Sequence, residues 1–379
     1  MNYRKLRVII SGGGTGGHIF PAVSIAGKLK EVNPETEILF VGAEGKMEME
    51  KVPAAGYEIV GLPVVGLQRQ LNWKNICNDI QIPFKVIASL RKAGKVIDSF
   101  KPDLVIGVGG YASAPTLWMA TAKHVPALIQ EQNSYAGLTN KILAKRVGRI
   151  CTAYEGMEKF FPADKITISG NPIRSSIREA TAEMKAEAME YYKLDPAKKH
   201  ILIVGGSLGS GTLNKSMKAW ISAGCPGGEG VQIIWQCGKY YKAGVDSFME
   251  DAKAKGLPIA DIQHSDFIGR MDLAYAAADV VISRSGASSI SELCVARKAC
   301  IFVPSPNVAE DHQTHNAMAL VSKGAALMVR DAEAVEKLMP TALGLVRDAE
   351  KISQIEENVV TLAKYDAAQT IVDEAYRLI

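Results

Sequence analysis

Ser11-Gly12-Gly13-Gly14-Thr15-Gly16-Gly17-His18 places an ionisable ring directly after a run of glycines. Glycine lets a backbone turn tightly and approach a ligand with no Cβ in the way. A helix starting there adds unpaired N–H groups and the positive end of its dipole, a setting that suits phosphate. Gly12, Gly14 and Gly17 satisfy the G-x-G-x-x-G dinucleotide spacing, and the absence of a following Gly-Lys-Ser/Thr excludes a Walker loop. His18 carries a side chain that exchanges protons near neutral pH. Its plainer reading is a helix-start histidine facing solvent. Two more glycine turns, Gly107-Val108-Gly109-Gly110-Tyr111 and Gly205-Gly206-Ser207-Leu208-Gly209-Ser210-Gly211, repeat the pattern. Glu131-Gln132-Asn133 follows an apolar run, where open α/β sheets bind ligands, although an Asn there also serves as a turn residue. Arg284-Ser285-Gly286-Ala287-Ser288-Ser289 leads into another helical stretch. His312 and His315 stand three apart with no third ligand in view, and no acidic D-x-D pair is present, so no metal site is expected.

The elements that must carry these residues alternate in type. Leu6, Val8, Ile9 and Ile10 form a short apolar strand before the first glycine turn, and a helix is expected from about Ile19 to Lys30. Ile38–Gly42 reads as a second strand, followed by a charged run from Glu44 to Lys51. Glu44 is placed where a dehydrogenase would bind ribose, or it lies in a solvated loop or helix. Further strands are expected at Leu104–Val108, Val125–Gln130, Ile150–Ala153 and Ile166–Ser169. Gly170-Asn171-Pro172-Ile173-Arg174 marks a boundary, because a residue before proline avoids helix and Gly170 permits a sharp turn. A polar helix over Glu179–Lys193 then precedes a restart: strands at His200–Val204, Val231–Trp235, Ile262–Ile268, Asp279–Arg284 and Ala299–Pro304, and a helix from Gln313 to Lys323. The pattern implies an α/β protein of two doubly wound, Rossmann-like domains, residues 1–170 and 171–363. A last helix within 364–379 is expected to return to the first domain.

A length of 379 residues suits two domains, and 47% hydrophobic with 22% charged residues describes an ordinary globular chain. A net charge of +4 is too small to demand nucleic acid. No apolar run reaches the length of a membrane span, and Met1–Arg7 runs straight into the first strand, which leaves no room for a signal peptide. The six cysteines contain no C-x-x-C pair and read as reduced thiols of a cytosolic protein. Between Asn72 and Phe100, apolar Trp73, Ile76, Ile80, Ile82, Phe84, Val86, Ile87 and Leu90 are interleaved with Lys74, Lys85, Arg91, Lys92 and Lys95, with Pro83 as a break between two helices. That stretch is either an amphipathic helix packed on its own domain or a surface for an anionic membrane, centred on Trp73–Lys95.

Five ordered motifs carry a resemblance that spans nearly the whole chain. They are Gly13–Pro21, Gly109–Ser113, Glu131–Lys141, Gly170–Arg174, and Arg284–Ala287 with Ser291-Glu292. Together they resemble the bacterial peptidoglycan N-acetylglucosaminyltransferases that convert lipid I to lipid II. The resemblance implies a GT-B fold, two Rossmann-like domains facing across a cleft. It implies a UDP-N-acetylglucosamine (UDP-GlcNAc) donor held by the C-terminal half and an undecaprenyl-pyrophosphoryl-muramyl-pentapeptide acceptor facing the N-terminal loops. It implies no cofactor, and a peripheral place on the cytoplasmic face of the plasma membrane, in the service of cell-wall growth and division.

Carried over by position, Thr15, Gly16, Gly17 and Asn133 approach the sugar and diphosphate. Arg174 and Ser207 match diphosphate contacts, and Ile268 matches a position whose backbone reads uracil. Ala287, Ser288, Ser289, Ile290, Ser291 and Glu292 match the loop and helix start holding phosphate and ribose, with Glu292 accepting from the ribose hydroxyls. Gln313 matches a sugar contact, and His312 stands where other members can have a second Gln. Each has a structural alternative: Ser289-x-x-Glu292 fits a capping box, Arg174 could form an interdomain ion pair, and Ser207 could be a turn hydroxyl. The implied chemistry is inverting attack by the muramyl C4 hydroxyl, with His18 as general base and the departing UDP charge met by N–H groups and Arg174. Rivals are a sugar-nucleotide epimerase or another lipid-linked glycosyltransferase, an NAD dehydrogenase, and a nucleotide-binding scaffold without turnover.

Overall fold

The structure, a computed structural model, describes residues 3–64, 82–206 and 208–379. The chain divides into two units, residues 1–174 with 364–379, and residues 175–363.

The first unit is built on a seven-stranded, all-parallel sheet. Its strands are β1 (Arg7–Ser11), β2 (Glu37–Ala43), β3 (Glu58–Leu62), β4 (Leu104–Gly107), β5 (Ala127–Glu131), β6 (Arg149–Thr152) and β7 (Ile166–Ile168), in the order β3-β2-β1-β4-β5-β6-β7. A parallel sheet is covered on both faces, so its central strands are continuous apolar runs. Val8, Ile9 and Ile10 accordingly show no exposure. Alternation splits them between two cores. Val8 and Ile10 join Ile25 and Leu29 of α1 (Gly16–Val32). Ile9 joins Ala93 and Ile97 of α3 (Ile82–Phe100) and Leu117 of α4 (Ser113–Ala122). Short α2 (Glu48–Ala54) and α5 (Leu138–Leu143) complete this part of the chain. Strand order reverses at β1, with β2 on one side and β4 on the other, which is the switch point where such sheets bind ligands.

The final helix, called α14 here (Ala367–Arg377), belongs to this first unit. Its Ile371, Val372 and Ala375 enter the Val8–Ile10 core. Tyr3 donates its hydroxyl to Asp373 at 2.7 Å, and Arg149 pairs with the buried Glu374 at 2.8 Å.

The second unit repeats the plan with six parallel strands: β8 (Lys199–Val204), β9 (Val231–Gln236), β10 (Ile262–Ser265), β11 (Val280–Ser283), β12 (Ala299–Phe302) and β13 (Leu327–Met328), ordered β10-β9-β8-β11-β12-β13. Its helices are α6 (Ala182–Tyr192), α7 (Gly211–Ser222), α8 (Lys242–Ala254), α9 (Met271–Ala277), α10 (Ala287–Val295), α11 (His312–Val321), α12 (Ala334–Arg347) and α13 (Ala349–Val360). The strand expected over Ile262–Ile268 ends at Ser265, so Ile268 lies in the loop beyond it. Helix α1 begins at Gly16, three positions before the expected Ile19. Pro83 is the second residue of α3, where a missing N–H costs nothing. Trp73, Lys74, Ile76 and Ile80 lie outside the described residues, as does Ser207.

Candidate active-site loops

In the first unit the turns after β1 and β4 touch each other. Gly110 has φ +85°, and a Cβ there would lie 2.4 Å from the Gly13 carbonyl oxygen. Only glycine fits. The early start of α1 makes Gly16, Gly17 and His18 its first turn, behind an extended Thr15 N-cap. The Thr15 carbonyl accepts from His18 N at 3.1 Å and Ile19 N at 3.2 Å, while first-turn amides have no acceptor within the helix and suit an anion. The His18 ring turns back on this loop rather than outward, its Nδ1 3.0 Å from the Gly13 carbonyl oxygen and 3.2 Å from Thr15 Oγ1.

Sequence reasoning passed over the residue beneath that loop. Glu48, the first residue of α2, is completely buried and accepts from Gly14 N at 2.8 Å and Ala43 N at 2.9 Å. It sits within the charged run read as solvated. The available signal was Val52 four positions on, since i and i+4 share a helix face and Val52 is also buried. Glu44, the alternative ribose acid, instead pairs with Lys92 at 2.7 Å on the surface.

At the end of β5, Glu131 and Gln132 are buried and structural, while Asn133 is part-exposed. Glu131 accepts from Asn133 N at 3.0 Å, Gly137 N at 2.9 Å and Asn140 Nδ2 at 2.9 Å. Burial pushes its carboxyl above the ordinary range, and these donors pull the other way. Gln132 Nε2 donates to the Val108 carbonyl at 2.7 Å, fixing the β4 turn. Asn133 Nδ2 lies 3.3 Å from Glu131, so the motif is a braced turn with one polar side chain at its edge.

The second unit braces its turns in the same manner. Buried Gln236, at the end of β9, accepts from Gly205 N at 2.9 Å and donates to the carbonyls of Gly206 at 2.8 Å and Asp266 at 3.0 Å. One amide thereby fixes the glycine turn after β8 and the loop leading to buried Ile268. Helix α10 opens at Ala287 behind an extended Gly286, with no side-chain cap. Glu292 is thus the sixth helical residue, too far in to close the helix start, and the capping-box alternative falls. It is buried and accepts from the Tyr275 hydroxyl at 3.2 Å. Arg284 donates to the carbonyls of Val303 at 2.8 Å and Pro304 at 3.1 Å and pairs with Asp331 at 2.5 Å. Asp331 also accepts from Thr212 in the first turn of α7 at 3.0 Å. Gln313 uses its side-chain carbonyl on Ser305 N at 2.8 Å. Arg174 is exposed at the end of the first unit's main stretch. Thr15–His18 and Asn133 thus lie at the start of α1 and in the turn after β5 in the first unit, and Ile268, Ala287–Glu292 and Gln313 in the loop after β10 and at the starts of α10 and α11 in the second.

Residues 8–152 match the glycosyltransferase family 28 N-terminal domain, and residues 200–371 match the family 28 C-terminal domain. A protein of Parabacteroides distasonis named UDP-N-acetylglucosamine--N-acetylmuramyl-(pentapeptide) pyrophosphoryl-undecaprenol N-acetylglucosamine transferase is 56% identical over 376 residues, covering 99% of both chains. A Bacteroides fragilis protein of the same name is 54% identical over 373 residues, covering 98% of this chain and 96% of its own. Among solved structures, Acinetobacter baumannii MurG superposes with a TM-score of 0.77 at 27% identity, covering 99% of this chain and all of that one. A UDP-N-acetylglucosamine 2-epimerase, with a TM-score of 0.63 at 13% identity over 98% of this chain and 95% of its own, shares the fold alone.

Proposed function

The chain belongs to glycosyltransferase family 28, and on that premise we infer that it moves N-acetylglucosamine from UDP-GlcNAc to the muramyl C4 hydroxyl of undecaprenyl-pyrophosphoryl-MurNAc-pentapeptide, turning lipid I into lipid II. The observation that carries this reading is identity above one half, along essentially the whole chain, to transferases bearing that name.

The second unit holds the donor. Backbone N–H groups in the first turn of α10 meet phosphate, Glu292 accepts from the ribose hydroxyls, and the Ile268 backbone reads uracil. Ser207 and Arg174 contact the diphosphate, and Gln313 donates to the sugar. As UDP departs, negative charge grows on its phosphate, and the N–H groups at the start of α10 and the Arg174 guanidinium stabilise that charge. The first unit handles the acceptor. Its loops face the acceptor pyrophosphate, its Thr15, Gly16, Gly17 and Asn133 approach the sugar and diphosphate, and His18 takes the proton of the attacking C4 hydroxyl onto Nε2. Such a base contributes about 10²–10⁴ in rate. Attack opposite the leaving group inverts the anomeric centre.

Purified protein given UDP-GlcNAc and lipid I should release UDP and form the lipid-linked disaccharide, with no UDP release when lipid I is omitted. Acceptor-independent conversion of UDP-GlcNAc to its C2 epimer would replace this reading with the epimerase. Calorimetry showing NAD binding and no UDP binding would replace it with a dehydrogenase.

We also propose peripheral membrane attachment through the region of Trp73–Lys95. No helix among the described residues is long and apolar enough to cross a membrane. Phe84, Val86 and Ile87 are exposed at the start of α3, beside Lys85 and Arg91. Lys92 is engaged by Glu44 and contributes less. A basic residue near an anionic surface is worth about 1 kcal/mol. Lys85→Glu with Arg91→Glu should therefore weaken binding to phosphatidylglycerol vesicles roughly thirtyfold or more. Unchanged vesicle sedimentation would remove this surface from the membrane contact.

A further inference from the structure

The carboxylate of Glu48 and the ring of His18 lie on opposite ends of one peptide group. Gly14 N–H donates to Glu48 Oε2 at 2.8 Å, and the carbonyl oxygen of the same Gly13–Gly14 peptide is 3.0 Å from His18 Nδ1. A carbonyl only accepts, so Nδ1 carries the proton and the ring's lone pair resides on Nε2. The peptide cannot slide away. Glu48 also accepts from Ala43 N, and its Oε1 lies 2.1 Å from where a Gly13 Cβ would stand. Side chains that back a functional histidine through its second nitrogen fix its tautomer and raise its basicity. Here a peptide is interposed, and its N–H and C=O polarise in the same sense, because hydrogen bonds in a chain strengthen one another.

We propose that Glu48 is a positioning residue for His18, setting its tautomer and basicity through the Gly13–Gly14 peptide. The inference rests on His18 being the base of the transfer reaction. When Nε2 takes the acceptor proton, the new positive charge on the ring is met by a carbonyl whose peptide is already pulled toward a carboxylate. Glu48 is the charged group packed against this loop from α2. On the other side the ring meets the Gly109 backbone, with the uncharged Gln132 nearby. A carboxylate buried without exposure inside a glycine turn is otherwise a costly way to hold two amides.

The test uses the full-length enzyme labelled with 15N-histidine, the His18 signals being assigned by their loss in His18→Asn. The wild-type neutral ring should be protonated at Nδ1, and a ring protonated at Nε2 would overturn the proposal without any variant. Glu48→Gln should lower the midpoint of His18 titration and move the acid limb of kcat/KM to lower pH. It should cut kcat by about tenfold or more and leave the donor KM within about twofold. Should Glu48→Gln fold poorly, Glu48→Asp, which keeps the charge but retracts it, should give a smaller shift in the same direction. A folded Glu48→Gln with an unmoved His18 titration overturns the proposal even if His18→Asn abolishes turnover. A moved titration with full kcat upholds the Glu48–His18 link and instead removes His18 as the base.

Discussion

Glu131, Gln132, Gln236 and Arg284 at the strand ends are committed to neighbouring backbone groups, and such commitments decide what single substitutions should do. Glu292 accepts from the Tyr275 hydroxyl, and its proposed second duty is to accept from the ribose hydroxyls. Glu292→Gln keeps an oxygen for Tyr275 but loses the charge. Hydrogen bonds to charged groups are worth about 1.5–3 kcal/mol, so the KM for UDP-GlcNAc should rise at least roughly tenfold with kcat less affected. Steady-state kinetics with varied donor checks this, and an unchanged KM would separate Glu292 from the ribose. The thiols make a second case. Cys151, Cys225, Cys237, Cys294 and Cys300 are free and buried. Burial pushes Cys294 up to about 12 and Cys300 well above the ordinary thiol range. Only the thiolate reacts, so these five should resist iodoacetamide at pH 8 in the folded protein and react once it is unfolded, as read by mass spectrometry.

At the scale of the element, each strand–turn–helix works because a neighbouring turn is pressed against it. Gly110 carries a sharp demand beside the His18 loop, with φ +85° and its missing Cβ directed at the Gly13 carbonyl. Gly110→Ala combines left-handed strain of about 1–2 kcal/mol with a clash that displaces the His18 loop. Thermal melting should fall by several degrees. Turnover should fall further than the lost stability explains, because the loop that moves is the one that carries His18, the proposed base. Restored melting without restored activity in a second-site stabilised Gly110→Ala would isolate the loop effect. On the other sheet, Arg284 joins the ends of β11 and β12 to Asp331 and, through it, to the start of α7. The turn after β11 is therefore held from three sides.

For the whole molecule, the notable dependence is of the first unit on the last sixteen residues, 364–379. Helix α14 presents Ala367, Ile371, Val372 and Ala375 at helical spacing, and the last three complete a core begun by Val8 and Ile10. Ile371→Ala should cost about 2–5 kcal/mol, the range for emptying a buried aliphatic site. Urea denaturation followed by a probe in the first unit should show a lower midpoint. An unshifted midpoint would mean that the helix contributes no stability to that core.

Much of the fold was written in residue order. Val8-Ile9-Ile10, Leu104-Val105-Ile106 and Ile201-Leu202-Ile203 are legible as strands because sheets buried on both faces need unbroken apolar runs, and the glycines that follow mark the turns. Edge strand Glu58–Leu62 was not legible, since Glu58 and Gly61 interrupt the pattern that half-burial permits. The loop residues proposed for donor and acceptor could be found because family motifs preserve side-chain identity. What braces them could not. Glu48, Gln236 and Asp331 read as ordinary polar residues, and their acceptors and donors lie 34, 31 and 47 positions away along the chain. Sequence alone determined which stretches enter the interior and which side chains can do chemistry. Only tertiary structure decided which charges are buried and which backbone groups they hold, because desolvation is set by neighbours in space.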